Sequence, residues 1–220
     1  MPRTLYSLLR PLFSITRTLF LRSVEGIENI PKQGPFILAG NHVSIPDQWL
    51  MAMLSYTHNG VPVWFVARDD YWWGPWWTKP LRNKLATLLI DWRTPSNILR
   101  EAEEVLRQNQ AIAIYPEGTR NSDSRALALG KTGIARLALT TGVPIIPVGY
   151  EGPMITNVWE VFHEFVFKRN TATLRFGKPL TIEARQEPVT REDLYKITDR
   201  IMIEIGNVSG KRARLHDFAT

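Results

Sequence analysis

His42 and Asp47 are the two residues of the sequence whose types and spacing best fit acid–base chemistry. A histidine is a better general base when a carboxylate fixes its tautomer and stabilises the imidazolium that it forms. His42 follows the apolar run 36–38, which predicts a buried strand, and Ser44 and Asp47 then open a helix with capping-box spacing. The histidine is therefore expected on a strand-to-helix loop, beside a helix N-terminus that favours negative charge.

A simpler interpretation of the same pair is that Asp47 only caps the helix and His42 is an ordinary loop residue. Short motifs match by chance, so these two residues alone leave both interpretations open. Ser44 is a conceivable nucleophile next to His42. The chain has no G-x-S-x-G elbow there, however, and a role as helix cap accounts for the serine better.

A second candidate group, Glu117-Gly118-Thr119-Arg120, follows the apolar run 111–115. Open α/β sheets place ligands after such strands. Gly118 permits a tight turn, and the planar guanidinium of Arg120 suits a phosphate. A surface turn with an incidental ion pair is the alternative.

Two further cations are candidates for the same phosphate. Arg93 follows the predicted strand 88–91, although in isolation a solvated surface arginine is the simpler interpretation. Lys131 adds positive charge near the site. Gly130-Lys131-Thr132 is not a P-loop, because Arg125 stands where that motif requires a glycine.

The elements that must position these residues alternate between strands and helices. Of the 220 residues, 44% are hydrophobic and 22% charged, as in a folded globular domain. The pattern predicts a single α/β layered domain with a mixed, mainly parallel sheet flanked by helices. Predicted strands lie at 24–31 (with a turn), 36–38, 61–68, 88–91, 111–115, 143–150 and 173–176, and predicted helices begin near 44, 94, 130 and 190. Pro144 and Pro147 favour an edge position or an irregular end for the sixth strand.

Residues 1–23 are predicted to form a separate amphipathic membrane-contact segment, ahead of an α/β domain at 24–206 and a basic tail at 207–220. Arginines stand at 3, 10, 17 and 22, with large apolar residues between them and no acidic residue before Glu25. Such a helix binds anionic membrane surfaces, at about 1 kcal/mol per basic residue. Pro11 is expected to kink or divide it. The alternative is a helix packed on the domain.

The amino-acid composition limits the classes of partner and of catalytic group that the chain can use. The net charge of +6 indicates an anionic partner, and the eight tryptophans, four of them at 72–77, favour a lipid interface over nucleic acid. Packing of residues 72–77 in the core remains the alternative. The absence of cysteine excludes a thiol nucleophile and a disulfide framework. The four histidines lack ligand-like spacing, so no metal is expected.

Three motifs in order resemble those of the glycerolipid acyltransferases, and most nearly their bacterial 1-acylglycerol-3-phosphate branch. They are Asn41-His42-x-Ser44-x-x-Asp47, the group at 116–120, and the run 143–148; the lead-in 24–31 is also similar. The resemblance covers about residues 24–150. Two positions depart from it: Trp92 separates Asp91 from Arg93, and Gly130 stands where the family often has an aromatic residue.

The resemblance implies that His42 is the general base and that Asp47 orients it. It further implies that residues 117–120 bind the acceptor with Arg120 towards the phosphate, and that Pro147, with Asn41 and Ser44, supports the acyl side or the site. The expected reaction transfers an acyl chain from acyl-CoA or acyl-carrier protein to 1-acylglycerol 3-phosphate, with no cofactor. The expected place is the cytoplasmic face of the cell membrane, with peripheral or monotopic attachment. Glycerol 3-phosphate, another lysophospholipid or a glycolipid are alternative acceptors, and a non-catalytic lipid-binding protein is an alternative class; the oligomeric state is left open.

Overall fold

A seven-stranded mixed sheet organises the chain, as predicted. The computed structural model describes residues 2–68, 86–90, 95–184 and 189–217. The strands are β1 (Leu21–Glu25), β2 (Phe36–Gly40), β3 (Val63–Arg68), β4 (Thr87–Ile90), β5 (Ala111–Ile114), β6 (Ile145–Glu151) and β7 (Ala172–Phe176). Their order is β1-β7-β6-β2-β5-β3-β4, and every neighbouring pair is parallel except β6 and β7.

Helices cover both faces of this sheet. They are α1 (Pro2–Phe20), α2 (Ile45–Asn59), α3 (Pro95–Arg107), α4 (Gly133–Thr141), α5 (Val158–Phe167) and α6 (Arg191–Ser209). Strand β2 shows why its sequence is uniformly apolar. Phe36 and Leu38 enter the core cluster under α1 and α2, whereas Ile37 and Ala39 enter the cluster under α3, α4 and α6.

Local helix signals of the sequence are confirmed at several ends. Ser44 and Thr190 are the N-cap residues of α2 and α6, and the carboxylates of Asp47 and Asp193 accept from the backbone N–H of those two caps. Gly142, at φ 63°, ends α4 in the left-handed conformation that glycine favours.

Gly130 marks a close approach of the chain to α6. Helix α4 begins at Gly133, three residues later than its predicted start. A Cβ atom at Gly130 would lie 2.7 Å from Met202 and 2.8 Å from Thr198 of α6. The packing of α6 therefore explains why this chain has glycine where the resembling family often has an aromatic side chain.

Of the two alternatives predicted for the proline-containing strand, an edge position or an irregular end, the edge position is wrong. Strand β6 lies inside the sheet, between β7 and β2. Pro147 falls between the Ile145–Leu180 bridge and the Val148–Phe176 pair, where the ladder towards β7 is interrupted. The missing N–H of the proline therefore costs no regular ladder bond, and its carbonyl still accepts from Gly177 N at 2.7 Å.

Helix α1 is a single helix, so the prediction that Pro11 divides it is wrong. Tyr6 and Phe13, on either side of the proline, are both buried against the domain, and the Tyr6 hydroxyl donates to the Val63 carbonyl at 2.7 Å. Both halves of α1 are therefore anchored on the domain. The opposite side of α1 leaves Leu8 and Ile15 exposed. Strand β1 begins at Leu21, within the predicted segment 1–23.

Helix α5 was not predicted from the sequence. Its residues, VWEVFHEFVF, are aromatic or β-branched at most positions, so the 3.6-residue contrast between apolar and polar faces is weak. Asn157 caps the helix by accepting from Glu160 N at 2.8 Å. Among the described residues, no helix is long and apolar enough to cross a membrane.

Candidate active site

The structure brings His42 and Asp47 into contact at the carboxyl edge of the parallel strands. Strand β2 ends at Gly40, and its neighbour β5 ends one residue before Tyr115 at the same edge. The His42 Nδ1 atom lies 3.0 Å from Asp47 Oδ2 and 3.2 Å from Oδ1. The histidine side chain keeps 19% of its surface exposed, whereas the aspartate keeps 2%. The accessible part of the pair is therefore the imidazole.

Asp47 holds the whole strand-to-helix loop. Its Oδ2 atom accepts from the backbone N–H groups of Val43 and Ser44, each at 2.8 Å. Its Oδ1 atom accepts from the Tyr115 hydroxyl at 2.9 Å. A carboxylate that caps the helix thus also orients the histidine, and the two interpretations of Asp47 are compatible.

Tyr115 is a site residue that the sequence did not reveal. Its ring stacks on the His42 imidazole with centroids 4.2 Å apart and planes at 19°. Burial, and after it the neighbouring Asp47 charge, raises the pKa of Tyr115 well above its usual range, so the phenol remains a donor at physiological pH. The sequence did contain one signal for this role, because Tyr115 stands directly after β5 and two residues before Glu117.

The Glu117 carboxylate joins the two loops of the site. Its Oε1 atom accepts from His42 N at 3.1 Å, and its Oε2 atom accepts from Asn121 Nδ2 at 2.8 Å and Ala128 N at 2.7 Å. The backbone N–H of Asn121 in turn donates a hydrogen bond to the His42 carbonyl at 2.8 Å. Glu117 is buried and engaged with protein donors, so these contacts support the loop; a contact with substrate stays a prediction. Asn121 was also missed from the sequence.

The cations Arg120 and Lys131 belong to the segments around this junction. Gly118 has φ 71°, and the Lys131 side chain lies so close that Nζ would be 2.6 Å from a Cβ atom at Gly118. The backbone also closes this turn, because Lys131 N donates to the Pro116 carbonyl at 2.8 Å. Lys131 and Thr119 are exposed and Arg120 is half-buried. A glycine at this position therefore lets a lysine side chain cross the turn.

Asn41, Ser44 and Pro147 lie behind the His42 loop. The Asn41 amide donates to the Tyr150 carbonyl at 3.0 Å and accepts from Tyr150 N at 2.7 Å. The buried Ser44 hydroxyl accepts from Ile155 N at 2.9 Å. Pro147 pairs with Ala39 across β6 and β2. Arg93 and the tryptophans at 72–77 lie outside the described residues.

These contacts hold the His42 imidazole on a loop that is hydrogen-bonded to Asp47 and Glu117. The Asp47 carboxylate accepts a hydrogen bond from His42 Nδ1. The proton of the neutral imidazole therefore belongs on Nδ1 and the lone pair on Nε2. A mixed α/β sheet with such a pair at its strand ends, followed by a Glu-Gly-Thr-Arg turn, has the geometry that general-base catalysis of a group transfer requires.

The chain belongs to the acyltransferase family. The family model described as "Acyltransferase" matches residues 22–151, which contain β2 to β6, most of β1, and His42, Asp47, Tyr115 and Glu117. The prediction from the motif resemblance is thereby confirmed at the level of the family.

The relatives carry one activity in their names. The chain is 26% identical over 132 residues to the chloroplastic 1-acyl-sn-glycerol-3-phosphate acyltransferase BAT2 of Brassica napus, covering 59% of this chain and 37% of the relative. It is 32% identical over 130 residues to the enzyme of that name from Borreliella burgdorferi, covering 57% and 49%. The Bacillus subtilis enzyme is 22% identical over 189 residues, covering 86% of this chain and 88% of that enzyme. The chain thus spans about a third to a half of several relatives it matches.

A solved structure shares the fold. The crystal structure of the 1-acyl-sn-glycerophosphate (LPA) acyltransferase PlsC from Thermotoga maritima aligns with a TM-score of 0.61 and 24% identity, over 98% of this chain and 81% of that one. The sheet and its flanking helices are therefore those of this fold.

Proposed function

We propose that the protein transfers an acyl chain from a thioester to the free hydroxyl of 1-acylglycerol 3-phosphate, giving phosphatidic acid. The observation that carries the proposal is the partly exposed His42 imidazole, whose Nδ1 atom is held by the buried Asp47. The names of the relatives supply the acceptor, and acylation of its free hydroxyl gives phosphatidic acid.

His42 acts as the base in a direct transfer. Its Nε2 atom takes the proton of the acceptor hydroxyl while that oxygen attacks the thioester carbonyl. Asp47 stabilises the imidazolium that results, and the Tyr115 ring keeps the imidazole in its plane. When the tetrahedral intermediate collapses, the carbon–sulfur bond breaks and the leaving thiolate takes the proton back from His42. The buried Ser44 hydroxyl already accepts from Ile155 N, which supports a mechanism without an acyl-serine.

Arg120 and Lys131 are the residues proposed to hold the acceptor phosphate, with Gly118 and Thr119 shaping the turn that presents them. The compact turn and the lysine across Gly118 support this proposal. Glu117 positions these segments through His42, Asn121 and Ala128. Arg93 completes the set of proposed phosphate ligands.

We place the enzyme on the cytoplasmic face of an anionic membrane, in peripheral attachment. Helix α1 supports this proposal, because it carries three arginines and no acidic residue, and it leaves Leu8 and Ile15 exposed. The donor is acyl-CoA or acyl-carrier protein, and no cofactor is needed for the proton transfers described.

The test is acyl transfer from labelled acyl-CoA to lysophosphatidic acid in vesicles, followed as labelled phosphatidic acid. Parallel reactions replace the acceptor by glycerol 3-phosphate or lysophosphatidylcholine, and the donor by acyl-carrier protein. His42→Ala should abolish turnover and His58→Ala, at a histidine in the last turn of α2, should retain it. Equal turnover of His42→Ala and wild type would reject the mechanism. Vesicle binding without turnover on any of these donor–acceptor pairs would favour a lipid-binding protein.

A further inference from the structure

Helix α5 presents large apolar side chains to solvent. Trp159 is 83% exposed, Phe162 63% and Phe167 69%. The other side of the helix packs on the domain through the half-buried Val161 and the buried Glu164. These three exposed residues, named here the aromatic face of α5, form a surface of the kind that marks an interaction site.

Helix α1 packs against α5 and also carries exposed apolar residues. Leu8 of α1 is 76% exposed and Ile15 is 56% exposed. The chain leaving α5 is also tied to the end of α1, since Asn170 N donates to the Leu19 carbonyl at 3.0 Å. Two helices that pack against each other therefore both carry exposed apolar residues.

The charges in this region are mainly positive. Arg10 and Arg17 are exposed on α1, and Lys168 and Arg169 follow α5 directly. On α5, the Glu164 carboxylate is paired with Lys168 at 2.7 Å, which leaves Glu160 as the exposed acidic residue of that helix. The cationic surplus comes from α1. Tryptophan and phenylalanine beside basic residues are typical of helices that lie in the headgroup region of anionic bilayers.

We propose that the aromatic face of α5, together with Leu8 and Ile15 of α1, inserts into the interface of an anionic phospholipid bilayer. The segment that leads into α5 contacts the loop that carries His42. Ile155, two residues before the Asn157 cap of α5, accepts from Ile45 N at 3.0 Å and donates to the Ser44 hydroxyl at 2.9 Å. Docking α5 on a membrane thereby brings the His42 loop to the lipid surface.

The advantage for catalysis rests on the proposed function. A lysophospholipid acceptor and its diacyl product both reside in the bilayer, so a loop held at that surface meets the acceptor by lateral diffusion. Membrane contact itself does not depend on which acceptor is used.

The first experiment measures binding to vesicles of phosphatidylcholine and phosphatidylglycerol. The double variant Trp159→Ser/Phe162→Ser should lower the partition coefficient by about tenfold or more, as expected for removing two large apolar side chains from an interface. Ile203→Ser on α6 is the matched control, because Ile203 is 42% exposed on another helix, and its binding should equal that of wild type. Phe167→Ser, in the last turn of α5, is the second variant if the double variant unfolds.

Brominated lipids then locate Trp159. Wild-type tryptophan fluorescence should be quenched on binding, and Trp159→Phe, which keeps an apolar side chain, should still bind with a smaller quenched fraction. Unchanged vesicle binding of Trp159→Ser/Phe162→Ser and of Phe167→Ser would overturn the proposal. A quenched fraction in Trp159→Phe equal to that of wild type would also overturn it.

Activity and oligomeric state distinguish a bilayer from other partners that could bind the aromatic face of α5. The double variant should lose turnover on long-chain lysophosphatidate in vesicles and keep it on a short-chain, water-soluble analogue. Conversion of a dimer to a monomer by the double variant would overturn the proposal in favour of a second copy. A loss confined to carrier-protein thioesters would overturn it in favour of donor docking. Wild type that binds vesicles through α5 but transfers no acyl chain would reject the proposed function and leave this inference standing.

Discussion

The molecule contains two histidine–aspartate–tyrosine clusters of closely similar geometry. At the candidate active site, His42 Nδ1 lies 3.0 Å from Asp47 and the ring stacks on Tyr115 at 4.2 Å. Near the end of the described chain, His216 Nδ1 lies 2.6 Å from Asp199, and its ring stacks on Tyr195 with centroids 4.1 Å apart and planes at 11°. Pair geometry alone therefore does not distinguish a catalytic site.

The surroundings of the two aspartates make the difference. Asp47 accepts from two N–H groups at the start of α2 and from the Tyr115 hydroxyl, at the carboxyl edge of parallel strands. Asp199 accepts from the backbone N–H of His216, at 3.0 Å, as well as from its ring, so it fastens the C-terminal tail to α6. Asp47 orients the proposed base beside the turn that carries Arg120, whereas Asp199 holds a chain segment in place.

The largest expected contrast comes from replacing each histidine by glutamine. His42→Gln removes the proposed base and should lower kcat/KM by about 10²- to 10⁴-fold, the usual contribution of general acid–base catalysis. His216→Gln should leave kcat/KM unchanged and lower the free energy of unfolding by about 1 kcal/mol through the lost hydrogen bond. Steady-state kinetics and urea denaturation measure both. A His216→Gln loss as large as that of His42→Gln would mean that the second cluster also serves catalysis.

Replacing each tyrosine by phenylalanine isolates the hydroxyl that contacts Asp47. Tyr115→Phe keeps the stacked ring and removes one donor to the carboxylate, so kcat should fall by about tenfold, as one hydrogen bond predicts, with KM unchanged. Because burial holds the pKa of Tyr115 far above its usual range, the ratio of the two kcat values should stay constant from neutral to mildly alkaline pH. Tyr195→Phe should leave kcat unchanged. A rise in KM without a fall in kcat would place Tyr115 in acceptor binding instead.

Asp199→Asn tests the structural cluster directly. The amide keeps one acceptor oxygen for the two donors of His216, so the free energy of unfolding should fall by about 1–2 kcal/mol. Amide exchange of residues 211–216 should accelerate, and kcat should change less than in Tyr115→Phe. Glu183→Gln, at an exposed residue, is the matched control. Unchanged exchange in the tail would show that Asp199 does not hold it.

The smallest expected effect concerns Asp123, whose loop connects the two regions. Asp123 Oδ2 lies 3.1 Å from Arg214 of the tail, and two residues earlier Asn121 N donates to the His42 carbonyl. The backbone N–H groups of Arg125 and then Ala126 lower the pKa of Asp123 below its ordinary value of 3.8. Its charge therefore stabilises the folded state above pH 3.8, and this contribution is lost as the pH falls through the lower folded-state pKa.

Asp123→Asn should consequently be slightly less stable than wild type at neutral pH and equally stable in strong acid. Denaturation midpoints measured against pH check this expectation. A stability difference that persists at the acid end would assign the effect to the geometry of the loop and not to its charge.

Local and sequential features were predictable from the sequence. The capping boxes at Ser44 and Thr190, the stop at Gly142 and the buried run of β2 each depend on residues within a few positions of one another. The contact of His42 with Asp47 falls in the same category, because both belong to one strand-to-helix loop. The order of strands and helices likewise followed from the hydrophobic period, and the mainly parallel sheet from their alternation.

Contacts between distant segments required the tertiary structure. Tyr115 reaches Asp47, and Asn121 reaches His42, only because β5 pairs with β2 and brings two loops to one edge of the sheet. Pro147 is tolerated inside the sheet because the neighbouring ladder is interrupted there. Helix α5 has a sequence too uniformly apolar to reveal its period, and packing on the domain decides which of its faces is buried. The histidine–aspartate pair was thus predictable from residues that are neighbours in the sequence. The contacts that support the pair, and the exposed apolar face of α5, depend on segments that meet only in the folded chain.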